Sequence, residues 1–108
     1  MSEKRAWIGV DLDGTLAFYD GWKGENHIGR PIPLMVQRIK NWLVTGYVVK
    51  IFTARHGNGP KQVEIIQDWL EEHGLPRLEV TATKDFQMVS LWDDRCYRVE
   101  ENTGICHD

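Results

Sequence analysis

Short apolar runs alternate along this chain with two segments of helical period, and that alternation narrows the fold more than any other feature. The runs are Ala6 to Val10, Tyr47 to Phe52, Leu78 to Thr81 and Met88 to Trp92. Their length and their β-branched and aromatic content suit strands. Between the first two, Pro33 fits the first turn of a helix. Ile32, Val36, Ile39 and Leu43 then recur at helical spacing, and Gly46 is placed to stop it. After the turn Gly57-Asn58-Gly59-Pro60, Val63, Ile66 and Leu70 share one face of a second helix, with Gly74 as its cap and Pro76 beyond. Residues 14 to 31 are rich in Gly, aromatics and polar groups and read as an irregular loop or small hairpin. Tyr97 to Val99 is a candidate last strand. Strands alternating with helices imply parallel β-α-β units, right-handed crossovers and a sheet covered on both faces. The expected class is α/β: a Rossmann-like three-layer α/β/α sandwich with a mostly parallel sheet. A length of 108 residues favours one domain over 1–108, and a hydrophobic content of 42% is enough for a modest core.

Several classes are disfavoured at once. The formal net charge is −3 with both signs interspersed, so a broad basic face for nucleic acid is not expected. Cys96 and Cys106 form no metal-ligating pattern and read as reduced thiols. The segment Met1-Ser2-Glu3-Lys4-Arg5 leads into an apolar run too short for a signal peptide core or a membrane span, which makes a cytoplasmic location without a membrane partner the expectation.

The chemistry is concentrated where the runs end. Asp11, Thr53 and Asp93 each stand immediately after an apolar run. In a parallel sheet those positions share the carboxyl edge, where ligands bind. Asp11, Asp13, Asp93 and Asp94 would bring carboxylates together there. Like charges that close raise one another's pKa, and a hard divalent cation such as Mg²⁺ relieves the conflict. Thr53 adds a hydroxyl and Lys84 a cation, as a phosphate requires. Residues two apart on a strand share a side, so Asp11 and Asp13 can divide the work of nucleophile and general acid/base.

The segment Asp11-Leu12-Asp13-Gly14-Thr15-Leu16 resembles the first motif of the haloacid dehalogenase-like (HAD) phosphatase superfamily. Thr53, within Ile51-Phe52-Thr53-Ala54-Arg55, resembles the second motif. Lys84 resembles the third, and Leu91-Trp92-Asp93-Asp94 the fourth, over about Trp7 to Val99. The resemblance implies Asp11 as nucleophile and Mg²⁺ ligand, and Asp13 as general acid/base with its carbonyl on the metal. It implies Thr53 and Lys84 on the phosphoryl group, and Asp93 and Asp94 as metal ligands or their support. The acid at position 13 points to phosphoester hydrolysis rather than dehalogenation. The intervals 14 to 52 and 54 to 83 hold no cap domain, so the resemblance is to the capless branch. That implies an open site for a bulky phosphorylated substrate such as a nucleotide, a nucleic-acid end or a sugar phosphate, or a lid supplied by a second copy of the chain.

Arg55 and Arg95 follow motif residues and are candidates to contact phosphate or fix a carboxylate. Trp22 is a candidate to stack on a base or sugar, with packing as its simpler role. Trp7, Trp42, Trp69 and Trp92 read as core. His27 and His56 flank site loops, and His73 suits a helix end. The competing reading is a non-catalytic Mg²⁺-binding or phospho-accepting signalling domain. A receiver-like domain gathers similar groups, but its paired acids follow the first strand and its phosphoacceptor comes from a later one, an order this chain does not share.

Overall fold

The computed structural model describes residues 5–107; residues 1–4 and 108 of the expected domain lie outside the described residues, and with them most of the N-terminal segment. Strand β1 (Trp7–Val10) leads through the loop to helix α1 (Pro33–Thr45) and strand β2 (Val48–Phe52). A 3₁₀ segment (Ala54–Asn58), helix α2 (Pro60–Glu72), strand β3 (Val80–Thr81) and strand β4 (Met88–Trp92) follow. The strands lie in the order β3-β2-β1-β4 and every pairing among them is parallel. The α/β class and the parallel order are those expected.

Local chemistry explains the helix bounds. Pro33 and Pro60 each stand in the first turn, where the missing N–H costs nothing. Gly46 adopts φ 99° and returns its N–H to the Leu43 carbonyl. Helix α2 ends one residue before the expected glycine: His73 is the cap, and Gly74 turns the chain at φ 83°.

Side chains alternate across β1, so Ile8 and Val10 face one way and Trp7 and Gly9 the other. Ile8 and Val10 are in register with Val49 and Ile51. These four form one core with Met35 and Ile39 of α1 and Ile66, Trp69 and Leu70 of α2. Both helices therefore serve the same face. This follows from handedness: β1 to β2 and β2 to β3 step in the same direction across the sheet. The expected helical layer over the opposite face is replaced among the described residues by side chains and a loop. Trp7, only 1% exposed, lies beside Gly9 under the Lys50 ammonium, which sits 4.6 Å from its ring. Its indole donates to Asp85 of the 82–87 loop at 2.9 Å.

Two other elements differ from expectation. Only Val80 and Thr81 of the third run pair as strand. Tyr97 to Val99 is not a strand: Val99 makes one isolated bridge to Cys106, because β4 is the sheet edge and the chain beyond it turns away. Of the tryptophans read as core, Trp7 and Trp69 are buried, whereas Trp92 is exposed and packs against Trp42 with ring centroids 5.1 Å apart.

No described helix is long and apolar enough to cross a membrane. Cys96 and Cys106 are exposed thiols.

Candidate active site

The carboxyl ends of β1, β2 and β4 open into a cavity of about 670 Å³. Its lining includes Asp11, Asp13, Thr53, Arg55, Asp93, Asp94 and Arg95. The alignment is set by the sheet: the Asp11 N–H continues the ladder by donating to the Trp92 carbonyl at 2.9 Å, which fixes β1 and β4 end to end.

Carboxylate oxygens of Asp11, Asp93 and Asp94 come within 4.8 Å of one another. The donor set is three hard oxygens from partly buried or surface groups, which could hold a hard divalent cation such as Mg²⁺ and does not suit a soft metal. The Thr15 hydroxyl ties the cluster together. It donates to Asp94 Oδ1 at 3.1 Å or Asp11 Oδ2 at 3.3 Å and accepts from the Asp94 N–H at 3.0 Å. Its one signal in the sequence is its place in the segment that follows the first apolar run. Gly14 makes the approach possible. Its φ is +91°, and a Cβ there would lie 2.7 Å from Asp94 Oδ2. Asp93 Oδ1 accepts from the Arg95 N–H at 2.8 Å, which sets the turn after β4.

The cluster leaves a mark on Asp11. Burial, then the Asp93 charge, then a hydrogen bond and repulsion from Asp94 push its carboxyl up to about 7. Between the ordinary carboxylate range and pH 7, the folded chain thus binds more protons at Asp11 than the unfolded one. The metal-free protein should therefore lose stability as pH rises through that window, with no further loss from this group above it. Urea melts at pH 5 and pH 8 in chelator check this. The slope should be steeper for the wild type than for Asp11→Asn, and Mg²⁺ should flatten the wild-type slope.

Asp13 stands apart from this cluster. Both its carboxylate oxygens accept from Arg55, Oδ2 from Nε at 2.8 Å and Oδ1 from Nη2 at 3.0 Å. This two-pronged geometry is the strong form of the ion pair. Arg55 is only 5% exposed, so this is no surface salt bridge. Its remaining N–H groups donate to the Glu25 and His27 carbonyls of the 14–31 loop at 3.3 and 2.9 Å. Gln62, fully buried in α2, donates to the same Glu25 carbonyl, and the Trp69 indole donates to the Gly29 carbonyl. At Gly29 itself a Cβ would fall 2.0 Å from the Phe18 carbonyl oxygen, so the loop closes on itself without room for a side chain. The 14–31 loop is thus pinned to the 3₁₀ segment and the second helix.

Thr53 is buried, and its Oγ1 accepts from the Arg55 N–H at 3.2 Å, capping the 3₁₀ segment. Its hydroxyl proton remains available to a ligand. Lys84 is exposed and lies outside the cavity lining. The 82–87 loop must return from the carboxyl end of β3 to the amino end of β4, and Asp85 is fastened to Trp7 there. The four residues of β1 put about 13 Å between Trp7 and the site edge. Arg95 is an exposed cation that does line the cavity. The His27 and His56 imidazoles are not part of the lining, and His73 packs on Trp69.

No protein-family model matches the chain, and no curated protein does. One solved structure, of a conserved protein from Bacteroides thetaiotaomicron, is similar over 86% of this chain and 78% of its own, with 18% identity and a TM-score of 0.65. At that identity the likeness concerns the fold alone, an α/β architecture with a parallel sheet.

Proposed function

We propose that this chain is a Mg²⁺-dependent phosphomonoester hydrolase of the capless HAD-like kind, with Asp11 as nucleophile. The observation that carries the reading is the convergence of Asp11, Asp93 and Asp94 within 4.8 Å, in a cavity that Thr53 and Arg95 also line. Asp11 and the Asp93–Asp94 pair would hold the cation, with the Asp13 carbonyl as a further ligand implied by the resemblance. The cation would neutralise charge on the phosphoryl oxygens.

An Asp11 carboxylate oxygen attacks phosphorus while the ester P–O bond breaks, leaving an acyl phosphate on Asp11. Asp13, once one of its oxygens has left the Arg55 fork and taken up a proton from solvent, gives that proton to the departing oxygen. Asp13 then removes a proton from water, whose oxygen attacks phosphorus. The Asp11–phosphate bond breaks, and inorganic phosphate leaves. Thr53 donates its hydroxyl to the transferring group, and Arg95 supplies the positive charge from within the cavity. Lys84 has the third-motif position but lies outside the cavity lining. Asp13 enters this sequence only after one of its oxygens turns out of the Arg55 fork.

That fork favours one alternative. If it never opens, Asp11 accepts a phosphoryl group and keeps it, as a signalling or interaction domain would. A panel of phosphoesters with Mg²⁺ separates the two. It should include aryl phosphates, nucleotides, sugar phosphates and 3′-phosphorylated oligonucleotides. Multiple turnovers that stop in chelator are expected. One phosphate or fewer per chain would support the alternative, and no reaction with any member would remove the hydrolase reading.

A further inference from the structure

Beside its carboxylates the cavity is lined by Tyr19, Trp22 and Phe52. Trp22 is 55% exposed, whereas the packing tryptophans Trp7 and Trp69 are almost wholly covered. Tyr19 is exposed on the same loop. The Arg55 guanidinium sits 4.7 Å from the centroid of the Trp22 ring. The loop that bears Trp22 is fastened a few residues later through the Glu25, His27 and Gly29 carbonyls. The ring is therefore held beside the cavity rather than carried on a loose tip. Shielding Arg55 needs only bulk, which a leucine would supply. A large π surface left in contact with the cavity can take a second ring.

We infer that Trp22, with Tyr19 of the same loop also lining the cavity, is a stacking platform for an aromatic ring on the leaving group, so that the preferred esters are aromatic phosphomonoesters. The inference rests on the hydrolase reading above and adds a substrate class to it. The ring belongs either to an aryl group bonded to the ester oxygen or to a nucleobase one sugar away. Stacking on an aromatic side chain tolerates different rings, strengthens binding by about fivefold to 150-fold per ring, and is lost when the side chain loses its π face.

Two matched pairs of esters test this: phenyl with cyclohexyl phosphate, and adenosine 5′-monophosphate with ribose 5-phosphate. Binding to the Asp11→Asn protein with Mg²⁺ is measured by calorimetry, and kcat/KM of the wild type is measured alongside. In at least one pair the aromatic member should bind about tenfold tighter than its partner. The pair with the larger ratio identifies the source of the ring. Trp22→Leu should collapse that ratio and Trp22→Phe should retain most of it. Equal affinities within both pairs, or a ratio that survives Trp22→Leu, overturn the inference. If the wild type hydrolyses all four esters with equal kcat/KM, the hydrolase reading stands and this one falls. If none of the four binds or reacts, both fall.

Discussion

Asp11→Asn should reduce Mg²⁺-dependent phosphate release by at least about 10³-fold, the scale on which removal of an attacking group acts. It should also raise the melting temperature of the metal-free protein. The two effects have one cause. Asp11 is pushed up to about 7 by burial and by the Asp93 and Asp94 charges, so its ionised form is held against the preference of the fold. Asparagine keeps the shape and removes that charge. Loss of activity with gain of stability is the signature of a group retained for chemistry. Phosphate release in chelator and in Mg²⁺, together with thermal melts in chelator, checks both halves. Undiminished turnover by the variant would remove Asp11 as nucleophile. A lower metal-free melting temperature would mean that its hydrogen bond with Thr15 outweighs the repulsion.

Arg55→Ala should destabilise the fold by about 3–5 kcal/mol, the scale of removing one partner from a largely buried ion pair. The substitution strands the Asp13 carboxylate and takes donors from the Glu25 and His27 carbonyls. Against a total of about 5–15 kcal/mol for a domain of this kind, that is a large share. Arg55→Lys should recover little, because an ammonium cannot present two parallel N–H groups to one carboxylate and also reach the loop. Urea denaturation of both variants is the measurement. Pairing Arg55→Met with Asp13→Asn should restore part of the loss, since the stranded charge is then gone. A loss below about 1 kcal/mol in Arg55→Ala would place the pair in the range of screened surface bridges.

These two residues also show how far the amino-acid order alone reaches. Asp11 was legible because an apolar run stops dead at it, and strand ends at a parallel sheet's carboxyl edge converge whatever the loops do. The same reasoning located Thr53 and the Asp93–Asp94 pair. Arg55 was legible only as a choice between phosphate, carboxylate and solvent. Its partners include two backbone carbonyls in a loop without periodicity, and nothing in local sequence fixes the path of such a loop. Thr15 bonds across 79 positions to Asp94, a proximity that depends on β1–β4 register. Lys84 is a different case. Motif order put it near the site, but its location is governed by a short return loop tethered through Asp85 to Trp7. Covering both faces of the sheet was a reasonable expectation from the alternation of elements. It missed that the link from β3 to β4 is too short to hold a helix.

Strand β4 is an edge strand, hydrogen-bonded among the described strands to β1 alone, yet the turn that follows it delivers two of the three clustered carboxylates. An edge held on one side is among the first parts of a sheet to open in local fluctuations. Any ligand that needs Asp11 together with Asp93 and Asp94 binds only while β4 is docked, and so weights the ensemble toward the closed edge by mass action. Amide exchange of β4 should then slow as the site fills, a readout of occupancy that needs no turnover. The sheet edge and the acidic cluster would then respond to a ligand as one cooperative unit.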